Sequence, residues 1–399
     1  MTGFFLKNAN VINVKTCTVE ENKLLHIVDG RFAETPSSIG ADGPVVDCGG
    51  KFVSPGIIDA HVHLVWDGTS PDPMADTLAD GDFLCFAKGC SNANKSLKAG
   101  VTLVRDVGSC NDTAIPLAAS INRGYIQGSR VIPCGGAIQG SYGHCPMIGT
   151  ICDTKGELIK KIKQLKGAFI AHRIAPPHWI KIMASGGAAG LEDLGPCMYS
   201  VEELEAIACE AHRLNIKVAA HALSHDAISK CVYAGIDTIE HGAELDEELL
   251  LHMKAHGQTW VPTVAVYKVL SESRGVVADI IVDKAEGVTK KQRAIFKKAM
   301  EIGTRIMMGS DAGSANLGPH PSGLMEMCVM EDYGMPKAEV LRCSTYESAR
   351  ILGVDKTLGS IEAAKVADFV ILAANPLEKG ARAYIEDLCA VYKFGELVK

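Results

Sequence analysis

The sequence predicts an α/β protein, a (β/α)8 barrel of the TIM-barrel type with a small composite β-sandwich made from both chain ends. Eight short apolar runs alternate with helical segments through the middle of the chain. The runs are apolar on both faces, as expected for parallel strands covered by helices. Eight such units fit a closed barrel better than a flat doubly wound sheet, and barrels of this kind place their chemistry at the C-terminal strand ends.

The barrel strands are predicted one after another between residues 57 and 310. Their ranges are 57–63, 101–107, 130–134, 179–183, 217–221, 238–241, 259–266 and 305–310. Residues 200–214 carry apolar positions at helical spacing, and Ser200 with Glu203 forms a capping-box signature. Two segments, 137–151 and 268–287, interrupt this rhythm and are predicted to be long loops at the catalytic face.

The two chain ends are predicted to share one β-sandwich. Residues 1–54 would supply its N-terminal part and residues 356–399 its C-terminal part, with the barrel spanning residues 55–355. Both ends carry short strand-like runs, and Asp29 with Gly30 is a hairpin turn signal. Neither end is long enough to be stable alone, so the two are expected to pair.

Composition narrows the function classes. The net charge is −7 and charged residues make up 22% of the chain, so no basic face is expected for nucleic acid or a membrane surface. The N-terminus lacks the order of a signal peptide, and none of the 14 cysteines falls in a C-x-x-C pair. Free thiols in a reducing cytoplasm are therefore expected.

Polar residues that can bind metal stand at the predicted strand ends. The first strand closes the stretch SPGIIDAHVHL with His61 and His63, which share one face because side chains two apart in a strand point the same way. Two imidazoles on one face suit a divalent metal such as zinc. Later strands carry further polar residues at their ends: Lys181, His221, His241 and Asp311.

Lys181 is unusual in such a set because an ammonium group has no lone pair to donate. A deprotonated lysine amine can add carbon dioxide and become a carbamate, whose two oxygens can bridge two metals. Burial on a strand favours the neutral amine that must react. The two metals would lie about 3.5–4 Å apart and activate a shared water. Asp311 would bind one metal, take a proton from the water and pass it to the leaving group.

These motifs together resemble the amidohydrolase superfamily. The likeness extends over nearly the whole chain, through SPGIIDAHVHL, KAGVTLVRDVG, IKIMASGG, AAHALSHDAI, AGIDTIEHG, VPTVAVY, MGSDAG and LGSIEAAKVADFVILAANPL. It is strongest for the binuclear carboxylated-lysine branch, with its prolidase, Xaa-Arg carboxypeptidase-like and imidazolonepropionase-related members. The resemblance implies one buried metal on His61, His63 and Asp311, a more exposed one on His221 and His241, and a carbamate on Lys181 bridging them.

The resemblance also implies three substrate residues. His144, in SYGHCPM, matches a residue that helps to hold the scissile or terminal carboxyl group, although Cys145 stands where a glycine is usual. Tyr267, at the end of the predicted seventh strand, matches a tyrosine that contacts the tetrahedral oxygen. His320, in GPHPSG, matches a residue at the mouth of the site. Arg105 and Asp106 are predicted instead to form a structural ion pair.

The sequence therefore predicts a binuclear, zinc-dependent cytoplasmic amidohydrolase that cleaves dipeptides or N-acyl amino acids. The resemblance also implies a homo-oligomer. One alternative is a mononuclear imidazolone-ring hydrolase or nucleobase deaminase, but these need no bridging lysine. Another is a hydrolase of a xenobiotic amide or carbamate, since the same site chemistry cleaves many acyl bonds. A catalytically silent assembly module is a third alternative, although such proteins usually lose ligands.

Overall fold

The computed structural model describes residues 3–34, 43–190 and 192–399, so parts of the predicted N-terminal sandwich segment lie outside the described residues. The strands are β1 (Gly3–Asn13), β2 (Thr18–Val28), β3 (Arg31–Ala33), β4 (Val45–Asp47), β5 (Phe52–Pro55), β6 (Ile57–Val62), β7 (Val101–Asp106), β8 (Arg130–Pro133), β9 (Ala137–Gln139), β10 (Gly149–Ile151), β11 (His178–Met183), β12 (Ile216–Ala222), β13 (Thr238–His241), β14 (Thr259–Val261), β15 (Arg305–Ile306), β16 (Phe369–Leu372), β17 (Leu388–Lys393) and β18 (Glu396–Leu397).

Helices alternate with these strands from residue 73 onward. They are α1 (Pro73–Lys98), α2 (Ala114–Asn122), α3 (Lys155–Ala171), α4 (Val201–Arg213), α5 (His225–Tyr233), α6 (Glu247–His256), α7 (Val264–Ser271), α8 (Asp279–Ile302), α9 (Gly323–Asp332), α10 (Lys337–Cys343), α11 (Tyr346–Leu352), α12 (Pro376–Lys379) and α13 (Arg382–Glu386). The capping box predicted for α4 is confirmed, because Ser200 and Glu203 exchange hydrogen bonds between side chain and backbone.

One eight-stranded sheet joins the two chain ends. Its strand order is β18-β17-β16-β5-β1-β2-β3, with β4 also paired to β1. The C-terminal strand β16 runs antiparallel to β5, with Phe369 opposite Pro55. Apolar side chains from both ends share one core, which includes Leu6, Val53 and Phe369. The predicted pairing of the two ends is therefore confirmed.

The remaining strands are parallel and lie in two sheets. The orders are β6-β7-β8 and β10-β9-β11-β12-β13-β14-β15. The chain passes from one sheet to the other between β8 and β9, at Gly135, whose φ of +73° suits glycine. On the other side, the amide of Ala60 donates to the Met308 carbonyl at 3.0 Å and the amide of Asp311 to the His61 carbonyl at 2.8 Å. The segment after β15 therefore lies alongside β6.

The segment after β14 differs from the sequence prediction. Strand 259–266 was predicted, but β14 ends at Val261 because Pro262 has no amide hydrogen and Thr263 turns the chain with a φ of 48°. The predicted loop 268–287 is also wrong, since α7 and α8 cover most of it. Its mixed apolar and charged residues are amphipathic, and Val282 and Ala285 are buried. Tyr267 therefore lies on a helix.

Two further predicted segments need correction. The predicted loop 137–151 contains β9 and β10, and β9 pairs with β11 as part of the seven-stranded sheet. The predicted strand 305–310 is regular only at β15, after which irregular backbone leads to Asp311.

All 14 cysteines are free, and nine of them are buried. Among the described residues, no helix combines the length and apolar character needed to cross a membrane.

Candidate metal centre and active site

The parallel strands bring most of the predicted site residues to one cavity. Strands β6, β11, β12 and β13 end there, and the segment after β15 adds a carboxylate. Eight of the nine predicted site residues line this cavity, namely His61, His63, His144, Lys181, His221, His241, Tyr267 and Asp311. The carboxyl ends of parallel strands meet at one edge, which is why residues far apart in sequence converge.

His61 and His63 each have one nitrogen fixed by a protein acceptor. His61 Nδ1 donates to the Glu240 carboxylate at 2.6 Å, and His63 Nδ1 donates to the Gly108 carbonyl at 3.0 Å. The lone pair therefore lies on Nε2 in both rings. His61 Nε2 is buried without a hydrogen-bond partner among the described residues, and burial lowers the pKa of this ring to about 4. A neutral imidazole with a free buried lone pair is suited to a metal ion.

His221 and His241 are held in a similar way. His221 Nε2 donates to the Gly186 carbonyl at 3.0 Å, which leaves the Nδ1 lone pair free, and His241 Nδ1 is hydrogen-bonded to the Thr263 hydroxyl at 2.8 Å. Their rings lie 4.6 Å apart between centroids. Burial holds both pKa values well below the usual range, so both imidazoles are neutral at pH 7.

Asp311 completes a group that fits a cation. Its Oδ1 lies 3.5 Å from His61 Nε2 and 3.3 Å from His63 Nε2. Burial tends to raise the pKa of Asp311, but the imidazoles of His61, His63 and His241 outweigh it and hold this pKa well below its usual range. Ligand atoms of His61, His241 and Asp311 all lie within 4.8 Å of one another. Oxygen and imidazole donors at this spacing form a candidate site for a divalent metal.

Backbone conformation at this site is strained. His241 has a φ of 69° and Asp311 a φ of 59°, in the left-handed region that residues other than glycine rarely occupy. Such conformations cost free energy and persist where the surrounding structure enforces them, often at functional sites. The hydrogen bond from the Asp311 amide to His61 and the parallel pairing of β13 with β12 and β14 supply that constraint.

Lys181 lies at the centre of β11 with its side chain buried. Within the part of the chain that the structure describes, its side-chain nitrogen forms no hydrogen bond and no ion pair. Burial lowers the pKa of Lys181, while the carboxylates of Glu240 and Asp311 partly counteract this effect. A buried, partnerless amine with a lowered pKa is the form that can add carbon dioxide.

Glu240 is a site residue that the sequence analysis missed. It is buried in β13, and burial would raise its pKa, but the Arg105 guanidinium and His61 lower it to about 2. The Arg105 side chain donates to Glu240 at 2.8 Å and to the Ala60 carbonyl at 2.6 Å. Arg105 thus holds Glu240, and Glu240 orients His61.

The predicted ion pair between Arg105 and Asp106 is therefore wrong. Alternation along β7 points the two side chains to opposite faces, and Asp106 instead accepts hydrogen bonds from the Leu64 and Gly108 amides at 2.9 and 3.3 Å. Burial raises the pKa of Asp106 to about 6. Asp106 fixes the backbone just beyond His63.

His144 lies at the edge of the cavity, where its ring stacks on His221 with centroids 4.9 Å apart. Its Nδ1 is hydrogen-bonded to the Glu192 carboxylate, which also accepts the Gly187 amide at 3.0 Å. Burial would raise the pKa of Glu192, but its contact with His144 lowers it to about 2. Glu192 is a second residue that the sequence analysis missed, since it follows the strand ends by nine residues in irregular backbone.

Tyr267 reaches the cavity from α7, with its ring 5.6 Å from that of His241. The first turn of α7 is not capped by Thr263; instead, the amides of Val264 and Ala265 donate to the two Glu326 oxygens at 2.9 and 2.7 Å. Glu326 comes from α9, in the Met-rich stretch MEMCVM, and is fully buried. It therefore positions the helix that carries Tyr267.

The stability of this helix cap is expected to depend on pH. Burial raises the pKa of Glu326 to about 8, above the value of about 4.3 for an unfolded chain. The folded protein then keeps a proton that the unfolded chain has lost, so this contribution to stability is complete below about pH 4.3 and is lost as pH rises through about 8. In denaturant titrations, Glu326→Gln should flatten the fall in unfolding free energy between about pH 5 and about pH 8. The exposed variant Glu301→Gln is the control, and equal slopes for Glu326→Gln and the native chain would contradict the assignment.

His320 is the predicted site residue that lies apart from the others. It is buried, and a side chain at Gly313 would approach its Nε2 to 3.3 Å. It is not among the described residues that line the cavity. Burial lowers the pKa of His320 to about 4. Its role at the mouth of the site remains a prediction.

Comparisons with known proteins agree with this geometry. The sequence model of the amidohydrolase family matches residues 52–393. Ochratoxinase from Aspergillus niger is 26% identical over 356 residues, which cover 81% of this chain and 70% of that protein. A solved prolidase complexed with n-methylphosphonate-L-proline is 26% identical, covers 100% of both chains and superposes with a TM-score of 0.88. A Xaa-Pro dipeptidase with methionine in its active site is 25% identical, covers 99% of both chains and has a TM-score of 0.87.

The family match extends from β5 to the last residues of β17 and so includes every strand end that lines the cavity. The solved relatives match the chain over its full length with α/β folds of the TIM-barrel type. The chain therefore belongs to the amidohydrolase family and is a hydrolase that acts on carbon–nitrogen bonds.

Proposed function

We propose that this protein is a binuclear metal-dependent amidohydrolase that cleaves the amide bond of dipeptides or N-acyl amino acids. The observation that carries the proposal is the convergence on one cavity of four buried histidines, an ionised aspartate and a buried lysine whose amine has no hydrogen-bonding partner among the described residues. The full-length likeness to a prolidase and to a Xaa-Pro dipeptidase supports a peptide-like substrate.

The residues that would hold metal are those of the sequence prediction. His61, His63 and Asp311 would bind the more buried ion and His221 with His241 the more exposed one, with a carbamate on Lys181 between them. Zinc is the expected metal because imidazole and carboxylate donors suit it. When bound, two such ions supply Lewis acidity and lower the pKa of water.

The remaining steps belong to the side chains of this chain. Asp311 takes the proton of the attacking water and returns it to the leaving nitrogen, a role that suits a carboxylate kept ionised by its neighbours. Tyr267, whose pKa burial raises, keeps its hydroxyl proton and donates a hydrogen bond to the oxyanion. His144, oriented by Glu192, holds the substrate carboxylate.

Several broader features belong to the same proposal. The two parallel sheets close into one (β/α)8 barrel within residues 55–355, and the described parts of residues 1–54 join residues 356–399 in the composite sandwich. The protein works in the cytoplasm, where its 14 thiols remain reduced, and it assembles as a homo-oligomer.

A hydrolysis screen tests the proposal. Protein expressed with zinc and bicarbonate is offered Xaa-Pro and Xaa-Arg dipeptides, N-acyl amino acids and non-peptide amides, and released amino acid is followed by mass spectrometry. We expect turnover of dipeptides or N-acyl amino acids, with a loss on the order of 1,000-fold in Asp311→Asn because this amide cannot accept the proton. Metal content of the variant is measured in parallel.

Either alternative result is informative. No turnover of any amino-acid amide, with two metals bound per chain, would overturn the peptidase assignment. The screen would then turn to lactones, carbamates and ureas. One metal per chain with turnover of a cyclic amide would instead favour a mononuclear enzyme.

A further inference from the structure

We infer that the cavity selects substrates whose carboxyl-terminal residue has an apolar side chain, and that Met74 and Cys145 form the wall that selects it. The inference rests on the proposed function and adds a substrate class to it. It follows from how charge is distributed over the cavity lining.

Charge is confined to one end of the cavity. Apart from the histidines, the only ionisable Lys, Arg, Asp or Glu side chains among the described lining residues are Lys181 and Asp311, at the metal end. The other lining residues are largely apolar and include Trp66, Met74, Cys145, Ile148, Met183 and Leu270. The Glu192 carboxylate, in the irregular segment after β11, is already hydrogen-bonded to His144 and to the Gly187 amide.

The position of His144 connects the apolar wall to one part of the substrate. His144 is the proposed partner of the substrate carboxylate, and Cys145 follows it directly in the chain. Cys145 Sγ lies 3.3 Å from the Met74 sulfur, so the two side chains form one continuous surface. Burial raises the pKa of the Cys145 thiol, which keeps it neutral. The side chain attached to the carboxylate-bearing carbon therefore meets sulfur and hydrocarbon.

This surface discriminates by desolvation. A leucine, methionine or phenylalanine side chain replaces water there and gains contacts with polarisable sulfur. An arginine or glutamate side chain would lose its water and find no opposite charge, which is costly for a charged group. For a neutral polar side chain such as glutamine, the cost of desolvation lies between these two cases.

The test compares matched substrates on matched variants. The native protein, Met74→Glu and Met74→Gln are loaded with zinc and given N-acetyl and glycyl derivatives of Leu, Met, Phe, Gln, Arg and Glu. Met74 is half-buried in the first turn of α1, where an added carboxylate is compatible with the helix dipole. Met74→Gln has the same size as Met74→Glu without its charge. Circular dichroism and metal content establish that each variant is folded and loaded.

For the native protein we expect kcat/KM on Leu, Met and Phe derivatives to exceed that on the Arg derivative by roughly 100-fold. In Met74→Glu, kcat/KM should rise by roughly 10-fold or more on the Arg derivative and fall on the Leu derivative. In Met74→Gln, kcat/KM on the Arg derivative should not rise. Native preference for Arg or Glu derivatives, or an equal gain in both variants, would overturn the inference while leaving the amidohydrolase assignment intact. No turnover of these derivatives by the metal-loaded native protein would overturn the inference, and no turnover of the Xaa-Pro dipeptides as well would overturn the proposed function with it.

Discussion

Replacement of Lys181 by methionine is expected to reduce kcat/KM by on the order of 1,000-fold and bound metal from two ions per chain to one. Methionine has nearly the length of lysine and tolerates burial, so β11 should retain its packing. It cannot carry a carbamate, and the bridging anion is lost. Lys181 is buried and its amine has no hydrogen-bonding partner among the described residues, so little structural stabilisation is lost with it.

Two measurements check this expectation. Native-state mass spectrometry gives the metal content, and the best substrate from the screen gives the turnover. Lys181→Ala supplies a second measurement, because the space it leaves allows a short carboxylate such as acetate or propionate to take the place of the carbamate and restore part of the activity. The control is Lys161→Met, which removes a lysine that is hydrogen-bonded to Asp112 away from the cavity. Two tightly bound metals and native turnover in Lys181→Met would refute the bridging role.

Replacement of Arg105 by methionine is expected to lower the free energy of unfolding by about 3–5 kcal/mol, since it leaves the Glu240 carboxylate buried without its cation. Arg105 also packs against the Trp179 ring at 4.6 Å, a contact that methionine partly preserves. The double variant Arg105→Met with Glu240→Gln removes both charges and should recover much of the loss. Denaturant titration of the metal-free proteins measures these differences without the contribution of bound ions.

The exposed pair between Arg213 and Glu210 provides the matched control. Arg213→Met should change the free energy of unfolding far less than Arg105→Met does, because water and salt screen a surface ion pair. Equal effects of Arg105→Met and Arg213→Met would show that Glu240 does not depend on Arg105. In the folded single variant we also expect weaker metal binding, since Glu240 would no longer hold the His61 ring as firmly.

The sequence by itself predicted the α/β alternation and the convergence of residues at strand ends. Apolar strands end abruptly in polar residues such as His63 and His241, and this change of pattern is local, so it can be read without coordinates. The pairing of the two chain ends, which the structure realises as β16 against β5, was predicted because neither end is long enough to form a stable sheet alone.

The tertiary structure decided which residues support that site. Glu240 follows the pattern of a buried strand, and only the hydrogen bond from Arg105 of β7 to Glu240 of β13 shows that Arg105 is its partner and Asp106 is not. Likewise, only coordinates show Glu192 beside His144, or Glu326 at the start of the helix that carries Tyr267. Strand endings follow from short-range periodicity, whereas the partners of a buried charge depend on contacts between residues more than 40 positions apart, on which the local pattern carries no information.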